Sequence, residues 1–111
     1  MTNAELVEAV ASTMPFLHKT GSDRWYYSNT VPSGQRLWLP FTDANDLFMV
    51  LDQFDEYHID YKDGEFMVVL WAAGEGFVSF ANTFSLAVLQ AALKACEGDI
   101  RCENRLQNVT D

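Results

Sequence analysis

Basic residues are scarce in this sequence. Seven lysines and arginines are present against 16 aspartates and glutamates, and the formal net charge is −9. A chain with this balance is repelled by DNA, by RNA and by anionic membrane surfaces, so we expect no direct contact with nucleic acid or membrane. The partner that such a charge favours is a protein with a basic surface.

Cysteine and long apolar runs are also scarce. Cys96 and Cys102 are the two cysteines, which is too few for a disulfide scaffold, and whether they pair stays open. The longest nearly uncharged run, residues 66–74, is about half as long as a transmembrane helix. The first residues lack the basic and apolar regions of a signal peptide, so we expect a cytoplasmic protein.

Apolar residues, by contrast, make up 49% of the 111 residues, and aromatic residues 14%. This is enough for one folded core. We predict a single domain over residues 1–98 and a polar C-terminal tail over residues 99–111.

Three stretches have the capping residues and the periodicity of helices. Thr2 and Glu5 form a capping box before a helix over residues 3–14. Thr42 is the predicted N-cap of a middle helix with an apolar stripe that includes Phe54. Asn82 or Thr83 is predicted to cap a last helix over residues 84–96.

The stretch DEYHIDYKDGE, residues 55–65, has the period of a strand followed by the Asp-Gly turn of a hairpin. We expect its Tyr57, Ile59 and Tyr61 side chains to be buried and its acidic side chains to point outward. The return strand, residues 66–72, is apolar at every position, which predicts a central strand covered on both faces. Gly74-Glu75-Gly76 is predicted to turn the chain into a third strand over residues 77–81.

The short segments RWYY and RLWL, between Arg24 and Leu39, are predicted to form a loose hairpin or two edge strands. Tight turns join antiparallel neighbours, so the fold class is α+β. We predict an antiparallel sheet of three to five strands with the N-terminal, middle and C-terminal helices packed on it.

The strongest functional signal is the position of the charge. Nine acidic residues and one base, Lys62, lie between Asp43 and Glu75, so this window holds −8 of the −9. Three interpretations fit this window: a solvated hairpin edge, a protein-binding surface and a metal site. The candidate binding residues are Asp52, Asp55, Glu56, His58, Asp60, Asp63 and Glu65.

A second group of candidate residues is aromatic. Trp25, Tyr26, Tyr27 and Trp38 could be core residues, interface anchors or the wall of a small-molecule pocket. In the pocket hypothesis, Glu56, His58 and Asp60 supply the polar groups.

The order of elements resembles a known family. MTNAELVEAVASTM resembles the N-terminal helix of the phage ABA sandwich domain, and Trp25 or Trp38 resembles its tryptophan strand. LPFTDANDLFMVLDQF resembles its capped middle helix and FSLAVLQAALKA its closing helix. The resemblance implies a phage origin, and thus the host cytoplasm, and a compact layered fold. It implies no activity, because the family has no general assigned function.

No nucleophile motif, phosphate-binding loop or cofactor motif occurs, so we expect neither catalysis nor a cofactor. The first hypothesis is a phage accessory protein whose acidic face binds a host protein. It would inhibit a defence or nucleic-acid enzyme, partly as a nucleic-acid mimic. The alternatives are a small-molecule binder and a homodimeric structural accessory.

Overall fold

A computed structural model describes residues 2–19, 24–28 and 36–98. In this part of the chain three helices accompany two antiparallel sheets, one of two strands and one of three, which confirms the α+β class. The elements are α1 (Asn3–Ala11), β1 (Leu17–Lys19), β2 (Trp25–Tyr27), α2 (Ala44–Leu51), β3 (Glu56–Lys62), β4 (Glu65–Ala72), β5 (Glu75–Ala81) and α3 (Phe84–Gly98). The predicted tail over residues 99–111 lies outside the described residues.

The helix starts are close to those predicted. The capping box of α1 is present, with Thr2 Oγ1 accepting from the Glu5 amide and Glu5 Oε1 accepting from the Thr2 amide, both at 3.1 Å. The α1 helix ends at Ala11 rather than at residue 14. At the start of α3, Thr83 Oγ1 accepts from the Leu86 amide at 3.2 Å.

The predicted N-cap of the middle helix is wrong by one residue. Asp43, not Thr42, caps α2, because its carboxylate accepts from the Asn45 amide at 3.0 Å. The helix ends at Leu51, so Phe54 of the predicted stripe lies beyond it. Phe54 still packs against the core from the loop that follows.

The three-stranded sheet has the order β3-β4-β5. Asp63 and Gly64 form the predicted turn, both with positive φ, at 55° and 79°, as a tight two-residue hairpin requires. The second turn differs from the prediction. Ala73 and Gly74 form it, with φ values of 54° and 83°, and Glu75 already belongs to β5.

The prediction that β4 is central is confirmed, but the predicted cover on both faces is complete on one face only, since Met67 and Trp71 on the second face are half-buried. Val68 and Leu70 are fully buried in the core cluster that the helices share with the sheet. The alternate residues Met67, Val69 and Trp71 point to the opposite face, which contributes no residue to that cluster. The sequence pattern did not show this difference, because the second face is also apolar although, among the described residues, the core cluster lies on the side of Val68 and Leu70.

The predicted burial of the tyrosines of β3 is also wrong. Ile59 packs against the core, but Tyr57 and Tyr61 are 40% and 58% exposed. The reason lies in the position of the strand. α3 packs on β4 and β5, and β3 lies at the edge of the sheet. The Tyr57 and Tyr61 side chains therefore lie beyond the area that α3 covers.

The predicted hairpin between residues 16 and 40 forms with different partners. β1 pairs with β2, with His18 opposite Tyr26, so the partner of the RWYY segment precedes it in the chain. The RLWL segment is not a strand, and Leu37 makes one isolated bridge to Tyr26. The small sheet joins the same core through Leu17 and Tyr27.

Candidate binding surface

All seven predicted acidic-site residues are exposed, but they do not form one cluster. Glu56, His58 and Asp60 follow one another along one face of β3. Asp63 lies at the hairpin tip and Glu65 begins β4. Asp52 and Asp55 lie at the opposite end of β3, where α2 leads into the sheet.

The β3 row lies on the uncovered face of the sheet, because residues opposite each other in neighbouring strands share a face. Glu56, His58 and Asp60 are opposite Trp71, Val69 and Met67. Val69 and Met67 are in turn opposite Val78 and Phe80 of β5. We call this surface the open face. Its members are Glu56, His58, Asp60, Lys62, Glu65, Met67, Val69, Trp71, Gly76, Val78 and Phe80.

The open face combines a charged edge with an apolar floor. Phe80 is 56% exposed and Val78 is 37% exposed, while Met67 and Trp71 are half-buried. A groove of about 450 Å³ at one end is lined by Asp60, Lys62, Asp63, Glu65, Met67 and Phe80. Aromatic and methionine side chains are enriched at protein-binding surfaces, and the rim of such a surface is polar. No separate signal in the sequence indicates this floor, since the same residues fit a covered strand.

Two of the predicted acidic residues have structural contacts. Asp55 accepts a hydrogen bond from the Ala73 amide at 3.2 Å, so its carboxylate supports the β4–β5 turn. Asp60 accepts from the backbone amide of Tyr61 at 2.9 Å. The exposed acids at Asp52, Glu56, Asp63 and Glu65 have no hydrogen bond or ion pair from their side chains to the residues that the structure describes.

Three of the four aromatic candidates, Trp25, Tyr27 and Trp38, pack into the hydrophobic core near the two-stranded sheet. Tyr27 and Trp38 are 6% and 3% exposed, and Trp25 packs against the core. The Trp25 indole donates to Glu8 at 2.9 Å. This bond and then that of Lys19 lower the pKa of Glu8 below its usual value. Tyr26 is half-buried and lies opposite His18.

The pocket hypothesis is weakened by these positions. A cavity of about 320 Å³ does adjoin the tryptophans, lined by Val7, Arg24, Trp25, Leu37, Trp38 and Leu39. The hypothesis also placed Glu56, His58 and Asp60 in that pocket. None of these three residues lines the cavity. The indole N–H groups of Trp25 and Trp38 are already hydrogen-bonded within the protein.

Sequence reasoning missed Asp46, a buried aspartate that accepts several hydrogen bonds. Its side chain is 1% exposed and accepts from Tyr27 Oη at 2.5 Å, Arg36 Nη2 at 3.1 Å and the Leu39 amide at 2.7 Å. Its backbone carbonyl accepts from the Trp38 indole at 3.1 Å. Asp46 therefore joins α2 to β2 and to the segment that precedes the helix. Its position in the first helical turn had indicated only a favourable interaction with the helix dipole.

Tyr27 provides a test of this network at high pH. Burial and then the hydrogen bond to Asp46 raise its pKa above the usual 10.0. Folded Tyr27 therefore keeps its proton at a pH where unfolded Tyr27 loses it. We expect the unfolding free energy to fall above about pH 10 with a slope of about 1.4 kcal/mol per pH unit from this residue. The slope should become shallower in Tyr27→Phe by an amount that approaches this value toward about pH 11, measured by urea unfolding from about pH 9 to 11. Equal slopes in the two proteins would contradict the assignment.

Metal and thiol chemistry have little support in the described residues. No group of three or more His, Cys, Asp or Glu side chains within 2–19, 24–28 and 36–98 is placed to hold a metal ion. Cys96 is buried, and its Sγ donates to Thr13 Oγ1 at 3.1 Å, joining α3 to the end of α1. Cys102 lies outside the described residues, and with it the question of a disulfide.

Among the helices that the structure describes, none combines the length and the apolar composition needed to cross a bilayer. Comparisons of the chain with protein-family models, with curated proteins and with solved structures found no match.

Proposed function

We propose that this protein is a non-enzymatic binding protein that uses the open face to hold a protein with a basic surface. The observation that carries the proposal is the coincidence of two features on that face. The carboxylates of Glu56, Asp60 and Glu65 lie beside the exposed or half-buried apolar side chains of Met67, Trp71 and Phe80.

Each feature has a separate role in such a complex. Burial of the apolar floor supplies most of the binding free energy, since aromatic anchors dominate interface energetics. The acidic edge attracts basic partners over a distance and repels acidic ones, which raises the association rate and the specificity. The resemblance to the phage ABA sandwich domain extends the proposal. For a phage protein the partner is a host protein, and a nucleic-acid enzyme would offer the basic surface required.

The proposal predicts a loss of binding from two kinds of change. The protein is immobilised and exposed to bacterial lysate at about 0.05 M and about 0.5 M salt. We expect one protein to be retained at low salt and released at high salt. Glu56→Gln/Asp60→Asn should weaken retention by reducing the attraction, and Phe80→Ser by removing an apolar anchor from the other side of the face.

The matched control is Asp52→Asn/Glu75→Gln, which removes two exposed carboxylates that lie off the open face. It should retain the partner as the unaltered protein does. The proposal fails if neither change on the open face reduces retention, or if the control reduces it equally. The search would then move to the cavity beside Trp25 and Trp38.

A further inference from the structure

The two edges of the three-stranded sheet differ in how they are closed. At the β5 edge, Lys94 Nζ of α3 donates to the Val78 carbonyl at 2.7 Å. At the β3 edge, no described residue from another element covers the strand. Six of the seven residues of β3 are exposed.

The hairpin register identifies the backbone groups on this edge. In a two-residue hairpin the closing pair, Lys62 and Glu65, exchanges both backbone hydrogen bonds, and the pattern then alternates along the strands. The N–H and C=O groups of Glu56, His58 and Asp60 therefore point to β4, and those of Tyr57, Ile59 and Tyr61 point outward. The Asp60 carboxylate fits this assignment, because it accepts from the Tyr61 amide at the outer edge.

We propose that two copies of this chain pair antiparallel through β3, about a two-fold axis at Ile59. Ile59 then lies opposite Ile59 of the second copy, and Tyr57 opposite its Tyr61. All three outward-pointing residues exchange backbone hydrogen bonds in this register. Asp60 releases the Tyr61 amide as the strands meet, and a continuous six-stranded sheet results.

The side chains are complementary in the same register. On the open face, Glu56 lies opposite Lys62 of the second copy, and His58 lies opposite its Asp60, each twice by symmetry. These are non-hydrogen-bonded pairs of the new ladder, in which side chains approach most closely. On the other face, the exposed rings of Tyr57 and Tyr61 cover each other. Lys62, the single base between Asp43 and Glu75, thus acquires a specific partner.

Neighbouring symmetric registers lack this complementarity. A shift that centres the axis on His58 sets Glu56 opposite Asp60 twice. A shift that centres it on Asp60 sets Asp60 against itself and His58 against Lys62. Like charges directly opposite each other are unfavourable, so the charges disfavour these two registers. Registers centred on Tyr57 or Tyr61 keep two favourable pairs, Glu56 with His58 or Asp60 with Lys62, whereas the register centred on Ile59 makes four. This choice of register is how cross-strand charges provide specificity.

The test is sedimentation equilibrium of the purified protein over a range of concentrations, with circular dichroism to confirm folding. We expect a species of twice the 12.6 kDa chain mass. Glu56→Lys and Lys62→Glu should each weaken self-association by at least about tenfold, because each reverses two cross-strand pairs. Glu75→Lys is the matched control, since it makes the same charge change on β5, and it should leave self-association unchanged.

Two rescue measurements make the test specific to the register. The double variant Glu56→Lys/Lys62→Glu should dimerise again. An equimolar mixture of the two single variants should form a heterodimer, because every charged pair is then opposite in sign. A monomer at every concentration, or a dimer indifferent to both single changes, would overturn the inference. It stands apart from the proposed function, because it needs no other protein and Phe80→Ser should leave self-association intact.

Discussion

Replacement of Asp46 by alanine is expected to lower the free energy of unfolding by about 3 to 5 kcal/mol. The carboxylate is 1% exposed and accepts three hydrogen bonds. Its removal takes this acceptor away from the buried Tyr27 hydroxyl and from the Leu39 amide. Arg36 also loses an ion pair, since its Nη2 lies 3.1 Å from Asp46, and it keeps the pair with Asp43 at 3.5 Å. Urea denaturation of both proteins measures the difference.

Asp43→Ala is the matched control for this prediction, since it removes the same side chain three residues earlier. Asp43 caps α2, and loss of an N-cap costs about 1 kcal/mol. Similar effects of the two substitutions would mean that Asp46 acts only as a residue of the first helical turn. A double-mutant cycle with Tyr27→Phe would then show no coupling between the two side chains.

The second large effect is expected in the centre of β4, where two adjacent valines face opposite sides of the sheet. Val68→Ala should lower the unfolding free energy by roughly 2 to 3 kcal/mol, because Val68 is fully buried in the core cluster and a cavity would remain. Val69→Ala should cost about 1 kcal/mol or less, since Val69 is 9% exposed on the open face and water can fill the space. The same residue type in the same strand makes the two values directly comparable by urea denaturation.

Equal losses from the two valines would contradict a single covered face. That result would mean that the open face is buried in solution as deeply as the helix face. A concentration dependence of the Val69→Ala effect would then identify self-association through the open face as the cause.

The sequence by itself determined the features that depend on residues close together in the chain. The capping box of Thr2 and Glu5 and the Asp63-Gly64 turn involve at most four consecutive residues, so their geometry follows from local chemistry. The α+β class follows from these signals in order, and the exposure of the seven candidate residues of the acidic stretch follows from the cost of burying charge. Local errors were small, as where Asp43 replaced Thr42 as the cap.

The tertiary structure decided what depends on residues far apart in the chain. Tyr27 and Asp46 are 19 positions apart, and no local pattern distinguishes a buried, hydrogen-bonded aspartate from one that merely begins a helix. The apolar sequence of β4 is compatible with a strand that is buried on one face or on both. The packing of α3 on β4 and β5 determines which face is buried. That placement also left Tyr57 and Tyr61 exposed at the sheet edge. The open face remains because the core cluster shared with the described helices lies on one side of the sheet, and the edge of β3 remains exposed because α3 packs over β4 and β5.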